Sequence, residues 1–124
     1  MTQALEGRTI LVVEDESLVA MLLETILEDM GCTPLGPVST VEEALKVVAG
    51  DAPFDGALLD VNVAGKEVFP VAAALKERGV PFVFSTGYGE GGLPEEWRGQ
   101  PTLQKPFTED AVQQALMKAL GVSV

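Results

Sequence analysis

Residues 9–31, "TILVVEDESLVAMLLETILEDMG", hold the reading that decides the fold. The first five are apolar and largely β-branched, the pattern of a strand buried on both faces. They stop at three consecutive acids, Glu14, Asp15 and Glu16. Val19, Leu22, Leu23, Ile26 and Met30 then recur at helical spacing, and Gly31 stands where a helix ends in left-handed backbone. A buried strand followed by an amphipathic helix opens a parallel crossover unit.

The rest of the chain repeats that unit. "CTPLGPV" (32–38) is a weaker strand, broken by prolines and so expected at a sheet edge. Ser39 and Glu42 have capping-box spacing before "VEEALKVVAG", the second helix. "FDGALLDV" (54–61) is the next buried strand. "NVAGKEVF" (62–69) reads as a loop into a helix with Pro70 in its first turn. "VPFVFST" (80–86) is the fourth strand. The glycine-rich segment 87–100 has room for one short helix around "PEEWR". "PTLQ" (101–104) is a short fifth strand, and "TEDAVQQALMKALG" (108–121) a last amphipathic helix with acids in its first turn. Five apolar strands alternating with helices predict a doubly wound, flavodoxin-like α/β fold. Its five-stranded parallel sheet carries a shortened or mobile fourth helix. Residues 1–124 read as one domain with its core at about 8–120.

Composition narrows the chemistry. The formal charge is −11, from 8 basic and 19 acidic residues. Such a chain repels a polyanion, so no nucleic-acid partner is expected. There is no histidine, which removes histidine bases, Ser-His-Asp chemistry and histidine-ligated zinc. The single cysteine, Cys32, closes no internal disulfide and reads as a small core residue. No apolar run is long enough for a membrane span and no signal peptide is evident, so a cytoplasmic protein with no membrane partner is expected.

In a doubly wound sheet, functional groups gather beyond the carboxyl ends of the strands. Those ends carry Glu14, Asp15 and Glu16 after the first strand, Asp60 and Asn62 after the third, Thr86 and Gly87 after the fourth, and Lys105-Pro106 after the fifth. Crowded carboxylates raise one another's pKa, and a hard divalent cation relieves the repulsion. Mg²⁺ suits a site of a few carboxylates, a carbonyl and a phosphoryl oxygen. A carboxylate beside it can attack phosphorus to give an aspartyl phosphate. Mg²⁺, the Lys105 ammonium and the Thr86 hydroxyl would each neutralise or bind one phosphoryl oxygen.

Here "LVVEDE", "ALLDVN", "FVFSTG" and "LQKPF" resemble, in order and across about residues 8–120, the signature segments of response-regulator receiver domains. The resemblance implies Asp60 as phospho-acceptor and Glu14 and Asp15 as metal carboxylates. It also implies Asn62 as a backbone-carbonyl metal ligand, Thr86 as switch hydroxyl and Lys105 as phosphoryl-binding cation. A cis peptide is implied at Lys105–Pro106. "FSTGYG" and the helix before it are similar to the single-domain FAT-GUY type. Ser85 stands where that type has alanine, and Thr102 where ordinary receivers have an aromatic. The implied function is a stand-alone regulator, not an enzyme, that takes a phosphoryl group from a histidine kinase or histidine phosphotransfer protein. Its output is then contact with a downstream regulatory protein, or phosphorelay.

Other readings compete. A phosphorylation-independent adaptor would have no need of the acid–hydroxyl–lysine set. Gly87, Gly89 and Gly92 match G-x-G-x-x-G, but after the fourth strand and with Pro94 delaying any helix, which disfavours a nucleotide or flavin binder. The glycines instead suggest that phosphorylation orders residues 86–98, with Thr86 and the Gly87 amide bonding the phosphoryl group. Trp97 reads either as packed against the sheet or as a partner anchor. Lys66, Asp51 and Asp55 read as solvated loop charges.

Overall fold

The computed structural model describes residues 5–87 and 93–122. Gly89 and Gly92, and the middle of the segment expected to order on phosphorylation, lie outside them. Strands β1 (Thr9–Val13), β2 (Thr33–Val38), β3 (Gly56–Asp60), β6 (Phe82–Thr86) and β7 (Thr102–Gln104) form one sheet in the order β2-β1-β3-β6-β7. All four pairings are parallel. Helices α1 (Ser17–Asp29), α2 (Val41–Ala49) and α3 (Phe69–Arg78) make crossovers, and α4 (Glu109–Leu120) follows the last strand. Among the described residues between β6 and β7 there is a 3₁₀ turn, Glu95–Trp97. The doubly wound fold and the shortened helix before the fifth sheet strand are as expected.

Strand alternation divides the core in two. Leu11, Val13, Ala57, Leu59, Phe82 and Phe84 face α2 and α3. Ile10, Val12, Leu58, Val83 and Leu103 face α1 and α4. β1, β3 and β6 are therefore covered on both sides, which is why their sequences are near-continuously apolar.

Three local readings change. The buried stripe of α1 is Ala20, Leu23, Ile26 and Leu27, while Leu22 joins Leu18 and Met21 on the outer face. The near-continuous apolar run "LVAMLL" permits either stripe, and packing chooses one. The α2 cap is Thr40, not Ser39: its Oγ1 accepts from the Glu43 N–H at 3.1 Å and donates to Glu43 Oε1 at 3.2 Å. The Thr–Glu cap thus sits one residue later than the Ser39–Glu42 spacing, with Glu43 accepting from the Thr40 hydroxyl rather than from its backbone N–H. Residues 62–67 form a hairpin, β4 (Asn62–Val63) and β5 (Lys66–Glu67), rather than a plain loop. Ala64 and Gly65 both have positive φ, as a two-residue hairpin turn requires, and fully buried Val63 and Val68 pin it. Lys66, exposed as expected, pairs with Glu42 of α2.

β2 lies at the sheet edge and its pairing with β1 shifts register between Leu11 and Val13. Pro34 and Pro37 stand within it. Cys32 is buried just before β2, its thiol donating to the Leu5 carbonyl at 3.2 Å. Trp97 packs inward: it stacks on Phe69, meets Phe82 and Phe84 edge-on, and has the Lys76 ammonium 5.9 Å above its ring. Of its two readings, packing is the one the fold uses.

Candidate functional site

The carboxyl ends of β1, β3, β6 and β7 lie side by side, because these strands are adjacent and parallel. Val13 pairs with Leu59, Asp60 with Ser85, and Ser85 with Leu103. Glu14 follows Val13, so it stands level with Asp60. Glu14, Asp60 and Ser85 thus form a row across three strands on the α1 and α4 side of the sheet. Thr86, the last residue of β6, alternates to the other side.

The row is dry. Glu14 is 2% exposed, Asp60 7%, Ser85 2% and Thr86 5%. Lys105, just past β7, reaches back over it. Its Nζ lies 3.4 Å from Glu14 Oε1, 3.4 Å from Asp60 Oδ2 and 3.9 Å from Glu16 Oε1. The Lys105 N–H donates to the Thr86 carbonyl at 2.9 Å, and Lys105–Pro106 is cis as the resemblance implies. A second cis bond, Gly36–Pro37, lies within β2.

Electrostatics follow from burial. Desolvation pushes the Glu14 carboxyl up to about 7, and the neighbouring Asp60 charge adds to it. Asp60 is raised too, by burial, with Lys105 pulling the other way. Burial alone would lower Lys105, but the Asp60 and Glu14 carboxylates outweigh it and raise the ammonium. Three acids and one cation leave excess negative charge. Glu14 Oε1 is sealed from solvent, and among the described residues its polar neighbour is the Lys105 ammonium at 3.4 Å, beyond a well-formed hydrogen bond.

One oxygen from each of Glu14, Asp15 and Asp60 lies within 4.8 Å of the others, with Asp15 on the exposed side. An all-oxygen donor set with more carboxylates than the one Lys105 cation can neutralise fits a hard divalent cation. Asn62, two residues beyond Asp60, opens the hairpin, and its N–H donates to Asp60 Oδ1 at 3.4 Å. Gly87 ends the described part of this loop, and a Cβ there would meet nothing within 4 Å. Its place is therefore not a steric demand of the described residues.

The predicted residues Glu14, Asp15, Asp60 and Lys105 thus converge in space, with Thr86 and Asn62 at the adjoining strand ends. Two neighbours were missed. Glu16 reaches Lys105, a role its position in the acid triplet could have suggested. Ser85 enters the buried row, and strand alternation counted from Val83 would have found it.

No family model matches the sequence. Among solved structures the chain is similar to SdrG from Sphingomonas melonis. Identity is 47%, covering 98% of this chain and 100% of that one, with TM-score 0.81. A BeF3-activated conformation of SdrG is 50% identical over 90% of this chain and 95% of that one, with TM-score 0.78. The receiver domain of the Erythrobacter litoralis PhyR response regulator is 30% identical over 95% of this chain and 93% of that one, with TM-score 0.79. The phyllosphere-induced regulator PhyR of Methylorubrum extorquens is 35% identical over 90% of this chain but only 43% of its own length. The chain spans less than half the length of the curated relatives it matches. In fold, strand-end chemistry and sequence alike, it belongs to the receiver domains of two-component response regulators.

Proposed function

We propose that the protein accepts a phosphoryl group on Asp60 from a histidine kinase or a histidine phosphotransfer protein, and signals by protein contact or phosphorelay. The observation that carries this is the buried Asp60 carboxylate held 3.4 Å from the Lys105 ammonium, with oxygens of Glu14 and Asp15 within 4.8 Å. That BeF3, a phosphoryl mimic, activates the similar SdrG supports the same reading.

In the reaction an Asp60 oxygen attacks phosphorus. The phosphorus–nitrogen bond of the donor phosphohistidine breaks, and the imidazole leaves with the bonding pair. Glu14, Asp15, Asp60 and the Asn62 backbone carbonyl would hold Mg²⁺ or another divalent cation. When bound, it neutralises charge on a phosphoryl oxygen. Lys105 binds a second oxygen, while the Thr86 hydroxyl and the Gly87 N–H take a third. Burial of Asp60 keeps bulk water from the acyl phosphate.

The output is contact with another protein in the cytoplasm, not turnover of a small molecule. Among the described residues no helix is long and apolar enough to cross a membrane. A phosphorylation-independent adaptor is disfavoured, because burying two mutually repelling carboxylates destabilises a fold that has no use for them. The test is intact mass after incubation with acetyl phosphate and Mg²⁺. Wild type should gain one phosphoryl group and Asp60→Ala none; no gain in wild type overturns the proposal.

A further inference from the structure

Two side-chain atoms among the described residues are sealed from solvent with no hydrogen-bond partner: Glu14 Oε1 and Ser85 Oγ. They flank the same residue. Glu14 stands level with Asp60 on one side, and Ser85 pairs with Asp60 directly in register on the other. Adjacent strands lie about 4.8 Å apart, so a hydroxyl and a carboxylate on neighbouring Cβ atoms of one face come within reach. Yet both Asp60 oxygens are engaged elsewhere, Oδ1 by the Asn62 N–H and Oδ2 by Lys105. Glu14 Oε1 still faces the Lys105 ammonium at 3.4 Å. Ser85 Oγ has no such partner among the described residues, and as a neutral hydroxyl on the β6 side it adds no charge to the metal carboxylates.

We propose that Ser85 is a positioning residue whose hydroxyl pairs only with the phosphorylated Asp60 side chain. This rests on Asp60 being the acceptor. When the phosphoryl group arrives, Lys105 turns to its oxygens and releases the Asp60 carboxyl oxygen it faced. The Ser85 O–H then donates to that freed oxygen. An interaction made in one state and absent in the other shifts the equilibrium toward the state that makes it. Ser85 therefore favours the phosphorylated form, and it does so from the position where the FAT-GUY motif has alanine, a residue with no donor.

The pairing predicts opposite effects of Ser85→Ala in the two states. Titrated with beryllium fluoride in the presence of Mg²⁺ and followed by amide NMR, wild type should bind saturably and Asp60→Ala should not. Ser85→Ala should bind more weakly, by up to about tenfold, the upper end of what one neutral hydrogen bond contributes. Without beryllium fluoride, Ser85→Ala should melt at or above the wild-type temperature, since it removes a buried hydroxyl that lacked a partner. Wild-type affinity in Ser85→Ala overturns the inference. So does a lower melting temperature without the mimic, which would mean the hydroxyl is already paired. Failure of wild type to bind, or binding by Asp60→Ala, overturns the Asp60 reading and Ser85 with it.

Discussion

Lys105 Nζ lies 3.4 Å from Asp60 Oδ2, although Lys105 follows β7 and Asp60 ends β3, with β6 between them. The lysine spans a whole strand to reach the carboxylate, and its side chain is only 23% exposed. Removing it leaves Glu14 and Asp60 facing each other without a cation. Lys105→Ala should lower the unfolding free energy by about 2 kcal/mol near neutral pH, and millimolar Mg²⁺ should restore part of it. Urea unfolding with and without Mg²⁺ measures both; a neutral substitution would contradict the electrostatic role.

The raised pKa of Glu14 sets a pH dependence. Its folded value of about 7 lies above the ordinary 4.5. Between these values the folded protein keeps a proton that the unfolded chain has released, so stability falls as pH rises through the window and levels off above it. Asp60, also raised, contributes with the same sign. Lys105, raised as well, holds its contribution through neutral pH and loses it only in strong alkali. Unfolding in EDTA should show about 1–3 kcal/mol less stability at pH 8 than at pH 5 from these groups. Glu14→Gln should flatten that slope, and a slope unchanged in the variant would refute the assignment.

Trp97 is the sole tryptophan and is buried among three phenylalanines. Trp97→Ala should destabilise the protein by about 3–5 kcal/mol, as removal of a buried aromatic does. Intrinsic emission of the wild type should be blue-shifted, moving red on denaturation. An exposed emission maximum in the native protein would place the ring elsewhere.

The two candidate caps of α2 can be separated. Thr40→Ala removes the oxygen that accepts from Glu43 N–H and should cost about 1 kcal/mol. Ser39→Ala, at an exposed residue, should stay within about 0.5 kcal/mol of wild type. Equal losses in thermal unfolding would leave no reason to prefer Thr40.

Most of the sheet was legible because a parallel strand covered on both faces writes its burial as an unbroken apolar run. The site was legible for a related reason. Polar residues that end such a run, as Asp60 ends "GALL", have few structural excuses. What could not be read depended on three-dimensional choices among equivalent local patterns. Ser39–Glu42 and Thr40–Glu43 have the same spacing, and only the backbone entering α2 distinguishes them. The hairpin at 62–67 needs Ala64 in left-handed backbone, which composition does not announce. The stacking of Trp97 on Phe69 joins residues 28 positions apart. Ser85 was visible as a departure from a motif, but its buried, unsatisfied state appears only once Asp60 is placed beside it.

The prolines of β2 have a consequence for assembly. An open sheet border is a template on which a second chain can extend the ladder. Pro34 and Pro37 lack the N–H groups such a ladder needs, and the register shift between Leu11 and Val13 breaks the regular ladder beside them. This border is therefore closed to fibre-like growth. Many copies of the chain can crowd together without this edge becoming a seed.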